Sequence, residues 1–311
     1  MTIEVRQAGL DDSGGITTLF CAQIPRWQRV NAQGKVEDLP YEALTVYERW
    51  LHGGPWMSIE TCAVLLNHLL LGAGIPLVAE SKGKVVGYVE AYHSIEPEPY
   101  GRSLHLAHMV ANEIDVEQTL IDGLNTQAKA LKCQHITVTR VGSASPYDDR
   151  YILTPISTLR RFNLPARQGQ IFYQAVEHTD TSAAQVSGWS MPVGRLSCSR
   201  QEWETLMPRL WETMPELRKR QTARRHISAA GQDALMFCRE HLYDPRRADL
   251  SLWTPKGLST QLMSAVRDWA HREGYRTLVM MVEDSAKELL GAEAEDEGYL
   301  QETCTLELKP E

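Results

Sequence analysis

Residues 249–282 read DLSLWTPKGLSTQLMSAVRDWAHREGYRTLVMMV, and this stretch decides the fold. Asp249 to Trp253 alternates polar with apolar positions, as a half-buried strand does. Thr254 to Ser259 holds Pro255 and Gly257, the residues of a tight loop. Ser259 or Thr260 is placed to cap a helix running to Glu273, with the apolar pair Leu262-Met263 and Ala270 on it. Thr277 to Val282, apolar from Leu278 onward, reads as a second strand.

The elements around this unit repeat. Upstream of it, Arg225 to Ala230, a turn at Gly231-Gln232-Asp233 and Ala234 to Leu242 predict a β-hairpin. Before that come helical segments between Arg200 and Arg220, carrying Trp203, Leu206, Leu210 and Trp211, and a strand at Gly194 to Cys198. Residues 299–308 supply the last strand. The first half runs in the same order. It opens on a strand at Ile3 to Arg6 and a turn at Asp11-Asp12-Ser13 that caps a helix with Ile16, Leu19 and Phe20. Residues 24–75 hold two more helical patterns, one from near Asp38 with Pro40 in its first turn, the other from Ser58 to Leu71. A hairpin follows (Leu77 to Glu80, a turn at 81–84, Val85 to Tyr92). Then come a strand at Leu104 to Ala111, a helix with Val116, Leu120, Ile121, Leu124 and Ala128 on one face, and a strand at 135–141. A helix near Ile156 to Phe162 and a strand at Gln170 to Glu177 close this half. The small, polar residues 178–188 (HTDTSAAQVSG) read as a linker. The expected organisation is two tandem α/β domains, 1–177 and 189–311, each a mixed β-sheet flanked by helices.

The bulk numbers agree with a globular chain of this size: 311 residues, 43% hydrophobic and 23% charged. No apolar run approaches the roughly twenty residues of a membrane span. The N-terminus has no signal core, so a cytoplasmic location is expected. Six cysteines, scattered singly, form neither a zinc knuckle nor a CxxC pair, and no metal is expected. A net charge of −8 argues against nucleic acid as the main partner. Trp27, Tyr41, Tyr47, Trp50 and Trp56 concentrate in one section, where ordinary helix packing and an aromatic wall over a substrate cleft are both open readings.

The order of elements, and the loop Thr254-Pro255-Lys256-Gly257-Leu258-Ser259 before the pair Leu262-Met263 and Ala270, resemble the GNAT superfamily of N-acyltransferases. That family carries a loop of the form Arg/Gln-x-x-Gly-x-Gly/Ala at the start of this helix, where backbone N–H groups hold the pyrophosphate of coenzyme A. Gly257 keeps the first glycine, Ser259 replaces the second, and Lys256 supplies a cation. In the first half the corresponding loop, aligned on Leu120-Ile121 and Ala128, is Asn112-Glu113-Ile114-Asp115-Val116-Glu117. Its carboxylates repel a pyrophosphate and instead complement the helix dipole. In length and arrangement the chain is similar to mycothiol synthase, a tandem member of the family.

The resemblance implies an acetyl-CoA or other acyl-CoA co-substrate. The coenzyme would lie against Leu252, Trp253, Thr254, Lys256, Gly257, Leu258, Ser259 and Thr260, although Trp253 is equally readable as core. It also implies a base for the acceptor amine, for which Asp284, Asp249 and Glu240 in the second half and His108 in the first are the candidates. The usual tyrosine acid is missing from the helix near Asp284 to Leu290; Tyr299 comes later. His105 shares the strand of His108, and Glu90, Tyr92 and His93 lie on the preceding strand. The leading expectation is an N-acyltransferase acting on a small-molecule amine. A catalytically inactive ligand-binding or sensor protein is the alternative, and a transferase using aminoacyl-tRNA is a second one.

Overall fold

The computed structural model describes residues 2–142, 147, 150–218 and 220–308. The chain divides into two compact units interleaved along the sequence. The first comprises Met1–Tyr92, Leu106–Lys132 and Leu210–Arg218; the second comprises His93–His105, Cys133–Arg209 and Lys219–Glu311. No helix among the described residues is long and apolar enough to cross a membrane.

The first unit holds helices α1 (Ser13–Cys21), α2 (Val46–Trp50), α3 (Ile59–His68) and α4 (Ile114–Ala130) and a small hairpin of β2 (Gln28–Val30) and β3 (Val36–Asp38). Its sheet runs β1 (Glu4–Gln7), β4 (Ile75–Ser81), β5 (Lys84–Ile95), β6 (Arg102–Ala111). The predicted helix from Asp38 is a 3-10 turn at Tyr41–Ala43 followed by the short α2. Thr45, not a residue near Pro40, caps α2: its hydroxyl accepts from Glu48 N–H, and Glu48 reaches back to Thr45 N–H. α4 buries Val116, Leu120, Ile121 and Leu124. Gly123 lets it sit close to the sheet, since a Cβ there would lie 2.9 Å from a Val5 methyl. Trp50 meets Trp211 edge-on at 4.5 Å, and this contact ties residues 210–218 to the first unit.

The second unit contains β7 (His135–Val141), β8 (Tyr151–Pro165), β9 (Tyr173–Glu177), β10 (Ser190–Val193), β11 (Thr222–Ala229), β12 (Gln232–His241), β13 (Asp244–Thr254), β14 (Thr277–Glu283) and β15 (Glu295–Leu308). They lie in the order β7-β15-β8-β14-β10-β13-β12-β11-β9. α5 (Ser199–Leu206) and α6 (Thr260–Arg272) complete it. The expected helix at Ile156 to Phe162 is instead the middle of β8. That strand is hydrogen-bonded on both sides, to β14 and to β15, and its β-branched residues suit the pleat better than a helix. β9, expected to finish the first half, pairs with β11. Within residues 178–188 a 3-10 turn, Ala183–Val186, buries Ala183 and Val186.

Two features repeat between the halves. Both hairpins turn on two left-handed residues, Lys82-Gly83 (φ 52 and 75°) and Ala230-Gly231 (φ 51 and 76°), the geometry that matches strand twist. Both strand–helix–strand units also pair their parallel strands over only three residues before the strands part. Ser103–His105 lie against His135–Thr137 of β7, and Arg247–Asp249 against Thr277–Val279 of β14.

Two cores sandwich the second unit's sheet, and β13 sends alternate residues to each. Leu250 and Leu252 join Met236, Val266 and Trp269 under α6. Trp253 faces the other way, into a cluster with Met191, Trp203, Met207, Leu235 and Phe237.

Candidate functional site

The loop between β13 and α6 has the features of an anion cradle. Gly257 takes φ +77°, and nothing lies within 4 Å of where a Cβ would be. Ser259 caps α6, its Oγ accepting from Leu262 N–H at 3.1 Å and donating to Gln232 Oε1. Among the described residues the N–H groups of Gly257, Leu258, Thr260 and Gln261 have no acceptor. Lys256 and Thr260 are exposed, with Leu258 half-buried. Free N–H groups, a helix N-terminus and a lysine together attract a phosphate.

The strand leading into this loop is closed. Leu252, Trp253 and Thr254 are 0%, 0% and 1% exposed. Trp253 packs edge-on against Trp203 at 5.2 Å and donates its indole N–H to Ser199 O at 3.4 Å, so it is a core residue. Where β13 and β14 part, β10 fills the gap, pairing Ser190 with Thr254 and Val193 with both Leu252 and Val282. Gly194 continues the wedge, its N–H donating to Met281 O at 2.7 Å. The sequence analysis places a strand four residues later, at 194–198. Pro192, disfavoured in a strand interior, is tolerated in this four-residue filler strand.

The candidate carboxylates do not converge. Asp249 sits between Arg239 (3.5 Å) and Arg220 (3.7 Å). Glu240, beside it on β12, accepts from Gln221 N–H at 3.1 Å. Asp284 accepts from Arg160 Nε at 2.9 Å and lies five residues beyond Val279, the partner of Asp249, or about 16 Å along the strand direction. Asp284 is thus at the Thr254 end of the sheet, with Asp249 and Glu240 at the other.

Near Asp284 the second unit holds a buried cluster that no local pattern announced. The Arg195 guanidinium is ion-paired with Glu96 and lies 3.8 Å from the centre of the Tyr100 ring. The Tyr100 hydroxyl donates to Glu283 Oε1 at 2.6 Å. Arg195 is the only charged residue between Trp189 and Ser199, which is the one sequence signal it gave.

In the first unit His108 is exposed, edge-on to Phe20 (6.5 Å) and Trp56 (6.3 Å), which stack on each other at 5.3 Å. Of the aromatic section, Trp56 is core, while Trp27, Tyr41 and Trp50 are half-buried. His105 is buried, with Nδ1 3.0 Å from Thr137 Oγ1. On β5, Tyr88, Glu90 and Tyr92 share a face, and Glu90 accepts from both phenols.

Burial raises the Glu90 carboxyl above the ordinary range, against the opposing pull of His108 and the two phenols. A raised folded-state pKa gives stability that is complete below the unfolded value and lost as pH rises through the folded one. The wild type is therefore expected to lose stability relative to Glu90→Gln in the window from the ordinary carboxylate range upward. A difference in melting temperature that is flat across that window would mean Glu90 does not titrate in the fold.

No family model and no curated protein matches the chain. Solved structures do. A GCN5-related N-acetyltransferase from Kribbella flavida superposes with a TM-score of 0.56 at 10% identity, over 99% of this chain and 72% of that one. A protein of unknown function from Enterococcus faecalis, described as a probable N-acyltransferase, gives 0.55 at 9% identity, over 97% and 72%. Eis1 from Mycobacterium abscessus gives 0.53 at 10% identity, over 99% and 73%. Identities this low speak to architecture alone, and they agree with the repeated hairpin–strand–helix–strand order: the chain has the fold of the GNAT (GCN5-related) N-acyltransferases.

Proposed function

We propose that this protein binds acyl-CoA through the Thr254–Thr260 loop and transfers the acyl group (acetyl in the simplest case) to a small amine. The observation that carries this reading is the row of unsatisfied N–H groups around Gly257 at the capped start of α6, beside Lys256. That end of the site fits a pyrophosphate. The N–H groups would hold its oxygens, and Lys256 would add charge. The coenzyme supplies the activated acyl group. Asp284, at the same end of the sheet, is the nearest of the candidate carboxylates to a reacting amine, and His108 is the candidate base of the first unit.

A second reading, binding without transfer, is favoured by β10. Polarising a thioester carbonyl on strand N–H groups needs a strand edge free to donate. The edge of β13 that faces β14 is paired to β10 at Leu252 and Thr254.

Calorimetry with acetyl-CoA separates these readings from failure of both. Micromolar binding is expected, with at least a tenfold loss in Gly257→Glu, which puts a carboxylate among the donors. Release of free coenzyme A thiol on adding a panel of amines then supports transfer, and binding without any release supports the second reading. No binding by folded wild type overturns both.

A further inference from the structure

β9 ends the sheet of the second unit, and its register on β11 shows which backbone groups its outer edge offers. His178 N–H donates to Arg224 O at 3.0 Å, so these two form a hydrogen-bonded pair of the antiparallel ladder. Val176–His226 and Gln174–Ser228 follow as the others, because such pairs alternate along the strand. The N–H and C=O groups of Tyr173, Ala175 and Glu177 therefore point away from β11. Among the described residues nothing meets them. Sheet edges are commonly blunted by a lysine, a proline or a bulge. β9 reads YQAVE and runs in continuous register, so it has none of these.

The side chains around this edge suit a copy of themselves. Phe172, one residue before β9, is 96% exposed, and Val176 is exposed as well. A hollow of 550 Å³ opens between β9 and the last turn of α6. Arg272 lies there, 5.6 Å from the centre of the Tyr173 ring and ion-paired with Asp268. Glu177 reaches Arg209 at 3.3 Å on the surface. Counting these partners, Arg209, Arg225 and Arg272 stand against Glu177, Asp268 and Glu273. The surface beside the edge is thus neutral and does not repel a second copy, although the chain carries −8.

We propose that β9 is the interface of a two-fold dimer, in which β9 of a second copy adds antiparallel with Ala175 opposite Ala175. In that register Tyr173 stands opposite Glu177 in both directions, and every outward residue exchanges both of its N–H···O bonds. Registers centred on Gln174 or Val176 would leave Glu177 or Tyr173 unpaired within the strand. The Ala175 register also sets Glu177 of the second copy about 5 Å from Tyr173, on the face that carries Arg272. The two-fold axis repeats that opposite-charge contact. Phe172 comes opposite His178 of the second copy and diagonal to its Val176, out of water. The interface is separate from the Thr254 loop and does not depend on the acyltransferase reading.

The test is sedimentation velocity over a micromolar concentration series, with backbone hydrogen exchange at its two ends, on wild type, Ala175→Pro and Glu177→Arg. Wild type is expected to pass from monomer to dimer as concentration rises, and the amides of Tyr173, Ala175 and Glu177 to gain protection in step. Ala175→Pro deletes an N–H that β11 does not use, at a position where an edge strand tolerates proline. Glu177→Arg sets a cation beside Arg272 of the other copy. Each variant is expected to weaken association about tenfold or more. Circular dichroism checks folding; if Ala175→Pro does not fold, Glu177→Arg, at an exposed position, and the exchange pattern decide. Wild type that stays monomeric throughout, or a dimer that survives Glu177→Arg with protection confined to other strands, overturns the proposal.

Discussion

Gly194→Ala is expected to lose about 2–4 kcal/mol of stability, while Gly257→Ala loses about 1 kcal/mol. The two glycines share a left-handed backbone, φ +84° and +77°, so the strain of an added side chain is common to both. Their surroundings are not. A Cβ at Gly257 meets nothing within 4 Å, whereas at Gly194 it would strike Ser251 Oγ and lie 2.5 Å from Leu250 O and from Ser251 Cα. These atoms belong to β13 and cannot move without reopening the sheet where β10 is wedged. The difference between the variants therefore measures how tightly the wedge is held. Urea unfolding followed by tryptophan emission is the measurement, since Trp203 and Trp253 sit in the cluster that β10 helps to form through Met191. Equal losses would mean that β10 yields readily and that the edge of β13 can be vacated for a ligand.

That comparison bears on what the sequence could and could not convey. The unit from Asp249 to Val282 was legible because each part follows a local rule: alternation in the strand, a glycine where φ is positive, a serine cap, an apolar helical face. The same rules found both hairpins, although the second was placed a residue late because Ala230, not only Gly231, adopts the left-handed form. β8 was misread because Ile156, Leu159 and Phe162 fall at helical spacing. Its identity as a strand comes from partners more than a hundred residues away, β14 and β15. β10 was invisible for the same reason, being a short segment whose conformation is dictated by a gap between two other strands.

The candidate site divides along the same line. The left-handed Gly257 and the Ser259 cap were legible in the loop's local pattern. The separation of Asp284 from Asp249 and Glu240 was not, because it depends on parallel register. The loss of Trp253 to the core follows from which face of β13 is covered by Trp203. In the first half the acidic start of α4 stands as read, with Asp115 and Glu117 in the first turn and no side-chain cap from Glu113. The two halves thus keep one framework and differ at the helix N-terminus, where one presents free donors beside a lysine and the other presents carboxylates.

Arg195→Met is expected to cost about 3–5 kcal/mol, and adding Glu96→Leu to recover most of it. Both members of the pair are 1% exposed on their side chains. Glu96 also accepts from Ser94 Oγ at 2.8 Å and from Ser199 N–H at 3.1 Å, and Arg195 Nη1 donates to Ser197 O at 3.4 Å. Removing the guanidinium leaves a carboxylate in the interior with two neutral donors and no cation. It also removes the charge stacked on Tyr100. The double variant replaces both charges with apolar groups and leaves only the two serine donors to find water or new partners. A buried carboxyl without its cation costs more charged than neutral, so the deficit relative to wild type is expected to be smaller in acid than in base. Unfolding of wild type, Arg195→Met and Arg195→Met/Glu96→Leu at about pH 5 and about pH 8 provides the measurement. Recovery in the double variant would show the pair to be held for geometry: it fixes the turn that carries β10 into the sheet and brings Tyr100 to Glu283. A double variant as damaged as the single one, at both pH values, would instead assign the loss to packing of the arginine stem. The charge would then play no part in closing the sheet.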